Sequence, residues 1–238
     1  MRKVFGIIGT TIAIAVMSFG IFIGTIIVVQ RGQEEAYVKA MEEFRNAINS
    51  EKPDVDRINE LAEETNSDGY FLYVEIAAKT YLHDVFVPFM TVQKMRKEDG
   101  LFKDGLTKDL IEKDQPEFEE SLETIAEMRE QTKLVQAAAD KLFDRDFALR
   151  YIESEELDER YVDMYIEQVQ EIYEDQKMKD DLAVFATYMN MQCNAYEEVI
   201  NFLKNNNGSW HLENDTVVFK TTSLTNQYNQ LLAKIDRD

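Results

Sequence analysis

Residues 182–207, LAVFATYMNMQCNAYEEVINFLKNNN, place Leu182, Phe185, Met189, Cys193, Tyr196, Ile200 and Leu203 at steps of three and four. Residues so spaced share one face of a helix, so the stretch predicts a long amphipathic helix with a heptad-like seam. Asn205-Asn206-Asn207-Gly208 closes it, because Gly tolerates the left-handed conformation that ends helices. Working backwards, neither Gly nor Pro occurs between Pro116 and Asn207, and Pro116 is itself a favoured first helical residue. A run that long cannot be one rod in a compact domain. Phe118, Leu122, Ile125, Thr132, Val135, Ala139 and Leu142 repeat near the same spacing, and Tyr161, Met164, Tyr165, Val169, Ile172 and Tyr173 mark a helix from Leu157 to about Gln176. Glu153-Ser154-Glu155-Glu156-Leu157-Asp158-Glu159 between them reads as a turn or cap. Long amphipathic helices on short links predict an antiparallel helical bundle over residues 30–204.

The preceding part fits the same class. Tyr37, Val38, Met41, Phe44, Ala47 and Ile48 predict a helix from Glu34 to Asn49. Asp54 stands where a cap would precede a short helix bearing Val55, Ile58, Leu61 and Ala62, which the turn Asn66-Ser67-Asp68-Gly69 ends. A third helix starts near Tyr70, runs through Leu72, Ile76, Tyr81 and Val85, meets a kink or break at Pro88, and stops by Gly100, with Gly105 loosening the next link. After Asn207 the period changes to two: Trp210 and Leu212, then Val217 and Phe219, alternate with polar or outward residues around Asn214-Asp215. That pattern predicts a β-hairpin within residues 205–238, followed by a helix capped by Ser223 and carrying Leu224, Tyr228, Leu231, Leu232 and Ile235. A lone hairpin is marginal in water, so Trp210 and Phe219 are expected to pack on the bundle.

The amino-terminal residues are of another kind. Val4 to Val29 carries no charge, and fifteen of its residues are Ile, Val or Phe. At about 1.5 Å per residue such a helix exceeds the roughly 30 Å hydrocarbon core of a bilayer, so residues 4–29 predict a transmembrane helix behind a stub at residues 1–3. Arg2 and Lys3 before it, against Glu34 and Glu35 after it, place the amino terminus in the cytoplasm and the rest outside. Signal cleavage at Ser18-Phe19-Gly20 would expose Ile21 to Val29 as an apolar terminus, so an uncleaved signal anchor is expected. Gly20 and Gly24 form a G-x-x-x-G, a spacing that permits a helix dimer in lipid.

The 238 residues hold 46 acids against 26 Lys and Arg, a net charge of −20, and every acid lies beyond Val29. Such a surface repels phosphate backbones and excludes nucleic acid as a partner. Only Cys193 is available, so no intramolecular disulfide forms, and on the seam it reads as a small buried hydrophobe. His83 and His211 sit in no zinc or di-iron spacing and are expected to be surface or structural residues. Asp140, Asp144 and Asp146, or Glu155, Glu156, Asp158 and Glu159, read as solvated helix faces, with an acid–base carboxylate pair as the alternative. No Gly-rich phosphate loop and no G-x-S-x-G elbow occurs. Asn207-Gly208-Ser209 and Asn214-Asp215-Thr216 fit the N-glycosylation pattern, which matters only in a eukaryotic secretory route.

Glu64-Thr65-Asn66-Ser67-Asp68-Gly69-Tyr70-Phe71-Leu72-Tyr73-Val74-Glu75 resembles the calcium loop of the EF-hand family. The resemblance implies side-chain ligands at Asn66 and Asp68, a turn at Gly69, a carbonyl from Tyr70 and a bidentate Glu75. Glu64 stands where the pattern has Asp and Leu72 where it has a polar residue, and Asn, Asp and Gly also serve a plain turn. The turn is the expectation, with no metal, cofactor or catalytic residue assigned.

These features predict a single-pass protein of a bacterial envelope whose acidic helical domain binds another envelope protein as an accessory, inhibitor or immunity-type factor, without catalysis. With one span and a two-residue basic stub it is not expected to pass a signal inward alone. The alternatives are an envelope polysaccharide hydrolase using a carboxylate pair, or a calcium-responsive module on residues 64–75.

Overall fold

A computed structural model describes residues 31–152 and 157–235. The 4–29 segment with Gly20 and Gly24, and residues 153–156 of the acidic turn, lie outside the described residues. Among those described, no helix is long and apolar enough to cross a membrane. The protein is mainly helical. Its elements are α1 (Arg31–Ile48), α2 (Val55–Glu63), α3 (Tyr70–Glu98), α4 (Gly100–Asp104), α5 (Lys108–Asp114), α6 (Glu119–Lys141), α7 (Arg145–Leu149), α8 (Glu159–Tyr173) and α9 (Gln176–Asn205). The antiparallel strands β1 (Trp210–Glu213) and β2 (Thr216–Phe219) and a last helix α10 (Thr222–Ile235) follow. The described chain forms two compact units, one up to Met90 and over Val135–Ala183, the other over Thr91–Leu134 and from Val184 onward.

In the first unit the core is built on Phe44, Ile58, Val74, Ala78, Tyr81, Tyr165 and Val169, none with measurable exposure. Burying a Leu- or Phe-sized side chain contributes about 2 kcal/mol, so the apolar stripes dominate the favourable side. Contacts between helices rise in step: Tyr37 meets Phe71 and Phe44 meets Lys79, so α1 and α3 run the same way. Phe71 meets Tyr161, and the Arg45 guanidinium donates to the Gln168 carbonyl, so α8 follows the same direction. Short links were expected to alternate direction throughout. That holds for α2, where Asn59 pairs with His83 and the Glu64 carbonyl with Lys79. As the return stroke, α2 is what lets α1 and α3 lie codirectional.

In the second unit the hairpin closes on the helices as the period-two pattern implied. Trp210 pairs with Phe219 across the strands, and Asn214 and Asp215 make the two-residue loop with φ of 47° and 63°, the geometry that matches strand twist. The Trp210 indole N–H donates to the Leu203 carbonyl at 2.8 Å, while Phe219 packs on Phe202 and Tyr228 with ring centroids 5.5 and 5.2 Å apart. Thr132, a polar residue on an apolar seam, is fully buried because its hydroxyl donates to the Met128 carbonyl at 2.7 Å.

Several boundaries differ from the sequence reading. The helix after Pro116 begins at Glu119; residues 115–118 form a turn with a cis Gln115–Pro116 bond, and Phe118 is left-handed at φ 54°. The cap is Asp114, whose carboxylate accepts from the backbone N–H groups of Glu120 and Ser121 at 3.0 and 2.8 Å. The start of α10 is capped by the Thr221 hydroxyl, which accepts from Leu224 N–H, and not by Ser223. Helix α3 continues through Pro88 to Glu98. A proline in a helix interior costs about 3 kcal/mol, and the buried Val85, Phe86, Val87, Phe89 and Val92 around it outweigh that.

Two hydroxyls test this packing. Tyr81 donates to the Leu142 carbonyl at 2.6 Å and Tyr165 to the Ala148 carbonyl at 2.7 Å, both buried. Tyr81→Phe and Tyr165→Phe should each lower urea-unfolding stability by about 1–2 kcal/mol at unchanged m-value, because a buried carbonyl loses its partner. The exposed Tyr70→Phe should shift nothing; equal effects at all three sites would contradict the packing described.

Candidate functional site

The segment Glu64–Glu75 brings together the most polar cluster inside the first unit. Asp54 caps α2, accepting from Asp56 and Arg57 N–H, and α2 ends at Glu63. The chain then turns through Gly69, whose φ of 60° suits glycine, and enters α3 at Tyr70. Glu75 and Lys79 sit one turn apart on the inner side of α3, with side-chain exposures of 0% and 1%, and their charged atoms are 2.7 Å apart. The Glu75 carboxylate also accepts from the backbone N–H groups of Asn66 and Ser67, at 3.2 and 3.0 Å, and from the Ser67 hydroxyl. The Lys79 ammonium donates in addition to the Glu64 carbonyl at 2.7 Å and lies 6.0 Å from the centre of the Phe44 ring.

Both charges are thus buried, opposite and hydrogen-bonded on several sides, which is the condition under which buried ions are tolerated. Calcium would ask for the same Glu75 oxygens that the ammonium, the hydroxyl and two peptide N–H groups occupy. The Glu64 carboxylate is engaged by Arg57 at 3.1 Å, and Asn66 and Asp68 face outward. Among the described residues no group of three or more His, Cys, Asp or Glu side chains stands together as a metal ligand set. Without solvent access, the pair's chemistry is cohesion: it ties the 64–69 loop to α3.

The other candidates are dispersed. His83 lies 3.0 Å from the Asn59 amide oxygen and 3.5 Å from Asp84, and the Tyr151 hydroxyl donates to Asp84 at 2.7 Å. Burial pushes the Asp84 carboxyl up, but the bonds from His83 and Tyr151 outweigh it and hold its pKa below the ordinary value. His211 is exposed on the hairpin, 3.8 Å from Glu213. Asp144 and Asp158 are helix caps, and Asp140 accepts from Gln136 at 2.9 Å on the same helix. Asp146 and Glu159 face solvent. Cys193 is fully buried, and desolvation raises its thiol to about 11 against the lowering influence of Arg129.

Three exposed side chains went unread in the sequence. Tyr70, Tyr73 and Ile76 form an outward stripe on α3. The inner side is instead Phe71, Val74, Ala78, Tyr81, Leu82 and Val85. The i, i+3, i+6 spacing of a charge-free stripe was the available signal. Of the tyrosines in and just before α8, Tyr161, Tyr165 and Tyr173 are core, and Tyr151 is half-buried. No protein-family model matches the chain, and no curated protein or solved structure matches it either.

Two outcomes follow from this geometry. Glu75→Gln and Lys79→Met should each cost about 3–5 kcal/mol in chemical denaturation, and the double variant much less than their sum, because each single change strands a buried charge. Additive losses would show that the charges do not act as a pair. Cys193 should resist a thiol reagent at neutral pH and react once in urea. The stability gained from keeping that thiol neutral is fully present below its unfolded pKa and disappears as pH rises through about 11.

Proposed function

We propose that the protein is a membrane-anchored, extracytoplasmic binding protein that presents an acidic helical bundle to another envelope protein, as an accessory, inhibitor or immunity-type factor. The observation that carries the reading is the uncharged stretch Val4–Val29, preceded by Arg2 and Lys3 and followed by all 46 acids of the chain. A tether of that kind confines the folded part to one membrane surface, where a protein acts by contact. The acids serve as caps and exposed faces, and the buried Glu75 and Lys79 are paired with each other and with the 64–67 backbone, which supports recognition over turnover. A net charge of −20 favours a basic partner and a fast, salt-sensitive encounter.

Crosslinking in intact cells followed by copurification tests the reading. The full chain should recover one envelope protein near stoichiometric amount, lost at high salt and not recovered by a form lacking residues 1–30. Recovery of self-crosslinked chain alone would replace a foreign partner with the dimer that Gly20 and Gly24 permit. Extraction of the full chain by alkaline carbonate would remove the anchor itself.

A further inference from the structure

From Gly69 to Thr80 the outward positions are Gly69, Tyr70, Tyr73, Ile76 and Thr80. None bears a charge, in a chain that is 30% charged. Tyr70, Tyr73 and Ile76 expose 48%, 57% and 44% of their surfaces. A solvated helix face carries charge, so a charge-free face of large apolar side chains marks a contact surface.

Its place in the fold identifies what it meets. A Cβ on Gly69 would lie 3.9 Å from the Gln33 side-chain oxygen, so the stripe begins beside the start of α1. Gln33 is four residues beyond Val29, and four residues span at most about 14 Å even fully extended. Whatever path the intervening residues take, the first turn of α3 is held close to the end of the apolar segment. Tyrosine, with an apolar ring and a polar hydroxyl, is favoured where hydrocarbon meets water. The exposed Asp68 next to Gly69 and the net charge of −20 disfavour anionic lipid and leave zwitterionic headgroups as the matching surface.

We propose that Tyr70, Tyr73 and Ile76 dock on the headgroup region of a zwitterionic bilayer, so that the first turns of α3 lean the first unit onto the membrane that residues 4–29 cross. The proposal rests on the membrane-anchor reading. Its test keeps the full chain: Tyr73→Cys is labelled with an environment-sensitive fluorophore, the buried Cys193 remaining unlabelled, and the protein is reconstituted in phosphatidylcholine vesicles with and without a headgroup-level spin-labelled lipid quencher. Docking requires that the probe lose about half its emission to the quencher. Adding Tyr70→Glu and Ile76→Glu should return it to the unquenched level, while the same label at the exposed Lys52, which lies past the opposite end of α1 from Gln33, should stay unquenched. A chain that floats with vesicles but shows no quenching at position 73 overturns docking and leaves the anchor standing. Equal quenching at positions 52 and 73 also overturns it, as contact without a preferred face. Failure of the chain to float overturns the anchor and the docking with it.

Discussion

Two opposite charges with 0% and 1% exposure, Glu75 and Lys79, stand at the point where three segments meet: the end of α2, the 64–69 loop and the inner side of α3. Taking either ion out of water alone costs several kcal/mol, so each is tolerated only while the other and its hydrogen-bond partners stay in place. Apart from the Ser67 hydroxyl those partners are backbone groups, the Asn66 and Ser67 N–H and the Glu64 carbonyl. Backbone atoms cannot be supplied by a rotamer change, so the pair dictates the loop's path as well as the contacts of two side chains. The loop in turn sets Gly69 beside Gln33 and starts α3 level with α1, a direction that α8 shares. Apolar burial supplies most of the cohesion, but an apolar stripe alone would accept a helix running either way.

How much of this was legible in the chain follows from which interactions act over short sequence distance. Helix α9, with its seam from Leu182 to Leu203, and the Asn214–Asp215 hairpin were readable because periods of 3.6 and 2 are properties of local backbone. The Asp54 cap was readable for the same reason. Pro116 misled because the helix-starting preference of proline competes with any nearby carboxylate able to reach the free N–H groups, and Asp114 does reach them. The short helices α4, α5 and α7 were missed although Asp99, Thr107 and Asp144 cap them, since five to seven residues give too few turns for a period to show. The inner side of α3 was not legible because two sets of apolar residues share the helix, and only tertiary packing says which is inside.

The polar cluster was legible as a turn motif, but its burial was not. A twelve-residue loop with Asn, Asp, Gly and a final Glu looks the same whether its last carboxylate waits for a cation or already has one. In the structure Lys79, four residues after Glu75, occupies the inner face and sets its own positive charge against that carboxylate. An i, i+4 Glu–Lys pair ordinarily sits in water and contributes a few tenths of a kcal/mol, so the spacing alone carried no hint of burial. The sign was in the surroundings, where Val74, Ala77, Ala78 and Tyr81 make this side of α3 apolar on both flanks of the pair.

The exposed charges obey a different logic. Arg57 joins Glu43, Glu60 and Glu64, and Arg129 joins Glu197, all at positions water can reach. Pairs of this kind contribute little each and weaken with salt, so they do not offset the self-repulsion of a chain at −20. Under the proposed tether, the acidic body is pushed from anionic headgroups by its mean field, and its approach to a membrane comes through a part of the surface that carries no charge. The uncharged face from Gly69 to Thr80 is such a part, and the cluster that fixes its position is buried beneath it on the same helix. The constraint that orders the 64–69 loop is therefore also the one that decides which face of the first unit meets whatever lies beside the start of α1.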